Sequence, residues 1–246
     1  IILWLKYPIF GVGLKNYRNL CSENLFFSNY NSDPCSTHPH NINLELLSEL
    51  GVIGFFIFLS FFLFYTINAS LTSKEINRTI VSTNHPKIAK VAKKLGAEVI
   101  KRPQKLSSDK AKVESTMLHV INFLEKNENY IPDVVILLQN TSPLRTNIDI
   151  DNAIKIFKKR NLDSILSVTK SHYFIWKKYN NKIIPINYNP LQRPNRQEMK
   201  NEFIENGAIY ITKYKAFKKS NCRISGRIGL FEMQQKVSID IDTKYD

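Results

Sequence analysis

The sequence predicts an α/β fold with a mostly parallel sheet. From about residue 64 onward, short apolar or β-branched runs alternate with amphipathic runs of helical length. The run at 134–138 is apolar throughout, as expected of a strand that is covered on both faces. Such alternation is typical of βαβ units packed in layers.

The predicted elements follow one another in a regular order. Strands are predicted at residues 78–83, 98–100, 134–138, 164–168 and 205–212, and helices at residues 86–95, 113–126 and 148–160. The first of these helices begins at Pro86 and is closed by Gly96, a usual helix stop. Residues 170–205 are polar, aromatic and interrupted by prolines, so we interpret them as an excursion from the sheet that serves as a dimerisation arm or a lid.

Hydropathy divides the chain into two unlike regions, 1–63 and 64–246. Residues 50–73 are 24 positions without a charge, and residues 50–67 are almost wholly apolar. A run of about 18 such residues is enough to cross a bilayer, so we expect a membrane helix at 50–67. The alternative is a helix buried in a protein core.

The chain is strongly basic, with 35 Lys and Arg against 21 Asp and Glu and a net charge of +14. This balance suits a polyanionic partner such as a nucleotide triphosphate, although a solvated lysine-rich surface explains it as well. No zinc spacing or basic stripe interleaved with aromatic residues argues for nucleic acid. Cys21 and Cys35 could pair only if their region is extracytoplasmic, and Cys222 is isolated in the sequence.

Two polar strings carry the chemistry. The first, Leu-Leu-Gln-Asn-Thr-Ser-Pro-Leu-Arg at 137–145, takes an apolar strand into a polar turn. The second, Ser-Ile-Asp-Ile-Asp-Thr at 238–243, places Asp240 and Asp242 on one face of an extended segment. Paired carboxylates can hold Mg²⁺ against phosphates. The alternative is that the two residues form an exposed acidic turn that binds no ligand.

These strings, with Glu-Asn-Gly-Ala-Ile-Tyr-Ile-Thr at 205–212, resemble the acylneuraminate cytidylyltransferases. The resemblance covers about residues 65–246. It implies a nucleotidyltransferase-type α/β fold, which is Rossmann-like and GT-A-like, and a homodimer. It also implies transfer of CMP from CTP to a nine-carbon acidic sugar, such as N-acetylneuraminate, with release of pyrophosphate and help from Mg²⁺.

The resemblance assigns a role to several positions. Asp240 and Asp242 match the catalytic, metal-binding acid pair. Gln139 matches a glutamine that contacts the sugar, and Arg196 an arginine that grips the sugar carboxylate through paired donors. Arg102 matches a nucleotide-binding arginine.

Five further positions are assigned to the same pocket or its support. Thr141 and Ser142 are expected to bind the ligand or to cap the turn that follows them. Phe203, Asn206 and Tyr210 are expected at the sugar pocket, with core packing an equal alternative for Phe203 and Tyr210. The arginine at the end of the first string is expected to anchor the loop rather than to touch the substrate.

Departures from the family pattern predict impaired turnover. Family members begin with a strand and a glycine-rich loop of the type Arg-x-x-Ser-Lys that holds the CTP phosphates, and residues 1–64 contain no such loop. The fold is therefore expected to lack its first strand and to be preceded by a loop and one hydrophobic helix. Asn84 and His85 stand where acidic residues usually occur, and Ile204 where some members have an arginine.

Residues 1–63 resemble the C-terminal part of the O-antigen ligase and polymerase superfamily, most clearly at residues 38–54. A loop histidine takes part in glycan transfer in that family, which would point to His38 or His40. The alternative functions are therefore a membrane-anchored protein of surface-polysaccharide assembly and an inactive fusion product. We expect the region after the hydrophobic segment to lie in the cytoplasm, tethered to the inner membrane if residues 50–67 span it.

Overall fold

The computed structural model describes residue 9 and residues 60–108, 111–180, 182–199 and 202–241. In these residues the helices are α1 (60–71), α2 (Pro86–Lys94), α3 (Val113–Glu128), α4 (Asn147–Lys159) and α5 (Tyr214–Ser220). The strands are β1 (Ile80–Thr83), β2 (Glu98–Lys101), β3 (Val134–Leu137), β4 (Ser164–Lys170), β5 (Trp176–Tyr179), β6 (Lys182–Pro185), β7 (Phe203–Lys213) and β8 (Ile228–Glu232). Strands and helices alternate through most of this order, which confirms the predicted α/β class.

The strands form three sheets. β1 and β2 make a parallel pair, and β5 and β6 make an antiparallel hairpin. The main sheet has the order β3-β7-β4-β8, in which β7 runs antiparallel to both of its neighbours and β4 runs parallel to β8. The antiparallel direction of β7 was not predicted, because a strand's own residues do not record which neighbour it will join.

The largest core lies between α4 and the main sheet. Ile150 and Ala153 of α4 are fully buried there against Ile165 of β4 and Ile209 and Ile211 of β7. The helix presents one apolar stripe to the sheet, which is how an amphipathic helix is stabilised in a layered fold. This packing fixes the strand ends that carry the polar loops.

Local sequence explains where α3 and α4 begin or end. Thr146 caps α4 by accepting a hydrogen bond from the Asp149 backbone N–H, and the Asp149 carboxylate accepts one from the Thr146 backbone N–H in return. Such a reciprocal pair satisfies two donors at a helix start. α3 ends at Asn129, whose φ of 52° is the left-handed conformation that Asn tolerates better than most residues.

Helix α1 is part of the α/β core. Leu63 and Ile67 are only 3% and 2% exposed and pack with Ala92 of α2 and Ala97 just before β2. The prediction of a membrane helix at 50–67 is not confirmed, since Leu63 and Ile67 pack into this core and no helix in the described residues is long and apolar enough to span a membrane. Residues 50–59 of that prediction, with Cys21, Cys35, His38 and His40, lie outside the described residues.

β4 ends at Lys170 and β7 begins at Phe203, so both ends of the predicted excursion at 170–205 belong to the main sheet, and the residues between them lie outside it. The β5–β6 hairpin lies within the excursion, whose aromatic residues stack on one another rather than on the main core. Trp176 and Phe174 both pack edge to face against Tyr188, and the Arg193 guanidinium lies 3.9 Å from the Phe174 ring centre. Its role as an arm or lid stays a prediction.

Candidate functional site

The predicted Gln139 and Asp240 side chains meet over Gly207. A Cβ atom added at Gly207 would lie 2.6 Å from Asp240 Oδ2 and 3.0 Å from Gln139 Oε1. The glycine has φ +69°, a conformation that L side chains rarely adopt. The absence of a side chain at this point of β7 therefore lets two oxygen atoms from distant parts of the sequence converge.

Asp240 is held beside the loop that follows β3. The Ile241 backbone N–H donates to the Thr141 carbonyl oxygen at 2.8 Å, which ties the Asp240 segment to the Gln139 loop. Asp240 Oδ1 and Thr141 Oγ1 are both buried, and neither has a hydrogen-bond partner among the described residues. Buried oxygens of this kind normally have a partner, so their environment suits a bound polar ligand or cation.

The oxygens fit a hard divalent cation in kind. Mg²⁺ takes oxygen ligands and is commonly held by one or two carboxylates, with water and substrate phosphates completing its shell. Asp240 supplies one carboxylate, and Asp242 lies outside the described residues. In the described ranges no cluster of three or more His, Cys, Asp or Glu side chains could hold a metal, so a cation here would depend on substrate oxygens or on Asp242.

Ser142 and Asn206 are buried and fasten the loop to the sheet. The Ser142 hydroxyl donates to the Asn206 carbonyl oxygen at 3.2 Å. Both atoms of the Asn206 amide are engaged: Oδ1 accepts from the Ser167 hydroxyl at 2.6 Å, and Nδ2 donates to the Ser238 hydroxyl at 3.0 Å. In this arrangement the two side chains hold strands and loops together, and their assignment to substrate binding stays a prediction.

Arg145 anchors the loop, as the sequence indicated. Its guanidinium donates to the carbonyl oxygens of Gln139 at 3.0 Å and Ala208 at 2.6 Å, and to the Thr66 hydroxyl of α1 at 3.0 Å. Arg145 is 3% exposed, and this burial lowers its pKa to about 10. One side chain thus joins the loop, strand β7 and helix α1.

Tyr210 lies on β7 in an apolar cluster that includes Phe203, and the assignment of both residues to the sugar pocket stays a prediction. Its hydroxyl donates to Glu205 Oε2 at 3.0 Å, and the Arg223 guanidinium lies 4.7 Å from its ring centre. Burial, followed by the nearby Glu205 carboxylate, raises the Tyr210 pKa to about 12. Arg223 in turn pairs with Glu114 of α3 at 2.8 Å.

Arg102 follows directly after β2 of the two-stranded parallel sheet. Its guanidinium donates to the backbone carbonyl and the hydroxyl of Ser82 on β1, and burial lowers its pKa. It lines a cavity that also reaches Leu138 and Asn140 at the end of β3. Arg102 is therefore separated from the Gln139 loop by this cavity.

Arg196 is placed on the excursion. It opens a short 3-10 helix (Arg196–Glu198), its side chain is exposed, and it forms no ion pair within the described residues. The structure therefore brings Gln139, Asp240, Thr141 and Ser142 together and leaves Arg196 on a separate segment.

Sequence reasoning missed four residues of the site: Ser167, Glu205, Arg223 and Ser238. Ser167, Ser238 and Arg223 bind side chains from distant parts of the chain, whereas Glu205 binds Tyr210 five positions along the same strand. Only Ser167 carries a local signal, because it is a small polar residue between the apolar Leu166 and Val168. A buried serine in such a place usually needs a hydrogen-bond partner.

Family profiles account for both regions of the chain. The cytidylyltransferase profile matches residues 57–246, and the O-antigen ligase profile matches residues 1–59. Both resemblances noted in the sequence are thereby confirmed.

Individual relatives give the same result. N-acylneuraminate cytidylyltransferase A of Danio rerio is 31% identical over 208 residues, which cover 83% of this chain and 45% of that protein. N-acylneuraminate cytidylyltransferase of Escherichia coli O18:K1:H7 is 29% identical over 192 residues, or 74% of this chain and 43% of that protein. The chain thus spans less than half the length of these curated relatives.

Solved structures support the fold. CMP:2-keto-3-deoxy-manno-octonic acid synthetase, solved with CTP, aligns with a TM-score of 0.50 at 13% identity over 70% of this chain and 79% of that one. A 4-diphosphocytidyl-2C-methyl-D-erythritol synthase aligns with a TM-score of 0.53 at 9% identity over 75% and 86% of the two chains. At such low identity these likenesses concern the α/β architecture alone.

Proposed function

Because the chain belongs to the cytidylyltransferase family, we propose that it transfers CMP from CTP to a nine-carbon acidic sugar and releases pyrophosphate. The observation that carries this proposal is the convergence of the Asp240 carboxylate and the Gln139 amide oxygen over Gly207. This convergence places a group that could bind a cation, the Asp240 carboxylate, beside a group that could contact the sugar, the Gln139 amide. One bound substrate could therefore reach both.

In the proposed reaction, the anomeric hydroxyl oxygen of the sugar forms a bond to the α-phosphorus of CTP. The bond from that phosphorus to the oxygen bridging the β-phosphate breaks, pyrophosphate leaves, and the hydroxyl proton passes to the Asp240 and Asp242 pair. When bound, Mg²⁺ would offset negative charge on the phosphates. Catalysis of this kind depends mainly on positioning and on electrostatics.

The remaining residues bind and orient. Gln139 would contact the sugar, with its loop held in place by Arg145. The exposed Arg196 guanidinium would take the sugar carboxylate through two parallel N–H donors once the excursion lies over the site. Arg102 would face the nucleotide, although it now donates to Ser82, so binding there would require exchange of that contact.

The proposal is tested by pyrophosphate release from the full chain with CTP, Mg²⁺ and N-acetylneuraminate. We expect release to be slow, since the family's phosphate loop was not found in the sequence. We expect Asp240→Asn to lower it roughly 100-fold, the size typical for loss of one electrostatic contact in a transition state. A matched control is Glu232→Gln, which removes one carboxylate from an exposed ion pair with Lys170 and should leave the rate unchanged.

Two outcomes would contradict the proposal. One is no release of pyrophosphate from wild-type protein whose folding is shown by circular dichroism. The other is an Asp240→Asn variant that remains as active as the Glu232→Gln control.

The exposed apolar side chains of the excursion favour a homodimer. Its hairpin exposes Trp176, Tyr179, Ile183 and Ile184, the last two at 69% and 44%. Neighbouring apolar side chains on a surface often mark an interaction site. Light scattering should give the mass of a dimer, and a Trp176→Glu, Ile183→Glu double variant should give that of a monomer.

Membrane attachment through residues 50–67 stays a separate proposal. It is supported by the O-antigen ligase match over residues 1–59 and by the uncharged run at 50–73. Fractionation of cells that express the full chain tests it: recovery in the membrane pellet after a high-salt wash supports attachment, and recovery in the supernatant contradicts it.

A further inference from the structure

A cavity lies between the two sheets of the α/β core. It has a volume of about 590 Å³ and is lined by β1 on one side and by residues 134–138, which include all of β3, on the other. Within the described residues β1 pairs only with β2, and β3 pairs only with β7. Both walls are therefore strand edges that have no strand partner on the cavity side in the part of the chain that the structure describes.

The other surfaces of the cavity are helix faces. Leu63 and Ile67 of α1 line it, as do Val120 and Ile121 of α3. These side chains are apolar, and a strand in a parallel sheet is likewise covered by apolar helix faces above and below. We call this space the interstrand groove and define it by β1, β3 and these two helices.

We propose that the interstrand groove binds one extended segment of a second polypeptide, which inserts as a β-strand between β1 and β3. The segment would be apolar on both faces and would use its backbone N–H and C=O groups on both edges. It would join the two-stranded sheet and the four-stranded sheet into one sheet in the order β2-β1-inserted strand-β3-β7-β4-β8. Strand addition to an exposed sheet edge is a general mode of peptide recognition.

The size of the groove agrees with such an occupant. Each flanking strand has four residues, a length of roughly 13 Å at about 3.3 Å per residue. Backbone groups on strand edges that are buried without partners are costly, so pairing both edges at once would be strongly favourable. A small apolar molecule would leave those groups unsatisfied, which favours a peptide over other ligands.

In this proposal the inserted strand comes from a second polypeptide. The residues that precede α1 match the O-antigen ligase profile up to residue 59 and carry no strand-and-loop sequence of the cytidylyltransferase type. An external strand would bring its own following loop to the end of the groove where Arg102 and Asn140 lie. This inference concerns binding and does not rest on the proposed reaction.

Hydrogen–deuterium exchange on the full chain tests the inference. The probe is a synthetic peptide with an apolar strand as long as β1 followed by a loop of the type Arg-x-x-Ser-Lys. We expect the peptide to slow exchange of those amides within Ile80–Thr83 and Val134–Leu137 that face the groove by about tenfold or more, because new backbone hydrogen bonds form there. Amides of the same strands that already pair with β2 or β7 should change little. The excursion amides should be unaffected.

A groove-filling variant supplies the specificity control. Val120→Trp adds a large side chain on the α3 face of the groove, whereas Phe123→Trp adds one on the same helix at a 38% exposed position that does not line the groove. We expect Val120→Trp to weaken peptide binding by about tenfold or more, in line with the usual cost of overpacking, and Phe123→Trp to leave it unchanged. Thermal melts of both variants check that they are folded.

Three results would overturn the inference. The groove-facing amides of β1 and β3 are already slow to exchange without the peptide, which would mean that the chain's own residues cover both edges. The peptide does not bind to folded wild-type protein. The peptide binds Val120→Trp as tightly as Phe123→Trp, which would place it on another surface.

Discussion

The α-carbon of Gly207 lies against the carboxylate of Asp240, so closely that one added carbon atom would come within 2.6 Å of Oδ2. Because of this contact, the site requires a glycine at position 207. The contact also links strand β7 to the segment that carries the predicted cation ligand.

We expect Gly207→Ala to abolish most activity and to lower stability by about 1–3 kcal/mol, because both the positive φ and the collision oppose a side chain. Pyrophosphate release and chemical denaturation measure the two effects. Gly96→Ala is the matched control: its φ is +95°, but a Cβ there would meet only Leu71 Cδ1 at 3.6 Å. Equal loss of activity in the two variants would contradict the role of the Gly207 collision.

Arg145→Met should destabilise the protein by roughly 3 kcal/mol, since it leaves two carbonyl oxygens and one hydroxyl without their charged donor. Arg145→Lys should recover only part of this loss, because an ammonium group lacks the planar fork that reaches three acceptors. Urea denaturation measures both variants. A Lys variant as stable as wild type would show that charge alone, and not the geometry of the fork, matters.

Asn206→Ala should lower the free energy of unfolding by about 1–3 kcal/mol, because the buried Ser167 hydroxyl loses its acceptor and the partly buried Ser238 hydroxyl loses one of its hydrogen bonds. If Asn206 only holds the loops, the variant should lose stability while its KM for the sugar stays close to the wild-type value. Steady-state kinetics at a temperature where the variant is folded separates the two roles. A large rise in KM with unchanged stability would instead support direct contact with the sugar.

Tyr210 should make stability fall at alkaline pH. The pKa of Tyr210 is raised to about 12 in the folded protein, above its ordinary value of 10, so the neutral form is favoured by folding. Its contribution is fully present below pH 10 and is lost as the pH rises towards 12, by up to about 2 kcal/mol. Tyr210→Phe should remove this slope, whereas Tyr173→Phe, at a 66% exposed position, should keep it.

The helices and most strands were predictable because their signals are local. The helix start at Pro86, the helix stop at Gly96 and the apolar run of β3 all lie within the elements they define or beside them. The bounds differ by a few residues at most: α3 continues to Glu128, and β4 to Lys170.

Long-range relationships were not predictable from the residues alone. β8 (Ile228–Glu232) was not predicted from the sequence. It contains a glycine and exposed apolar residues, so only its pairing with β4 defines it as a strand. For residues 50–67 a membrane helix was preferred over a helix buried in a protein core, whereas residues 60–71 pack as a core helix. Asp240, Gln139 and Gly207 were each identified, but their contact with one another depends on strand order.

The hydrogen bond from Ile241 to Thr141 determines when the site can assemble during protein synthesis. The two residues are 100 positions apart, so the ribosome completes the Gln139 loop well before it makes the segment that holds Asp240. At about 5–20 residues per second, the loop waits at least about 5 seconds for its partner. During that interval the nascent chain can build α4 and β4 but has no assembled site.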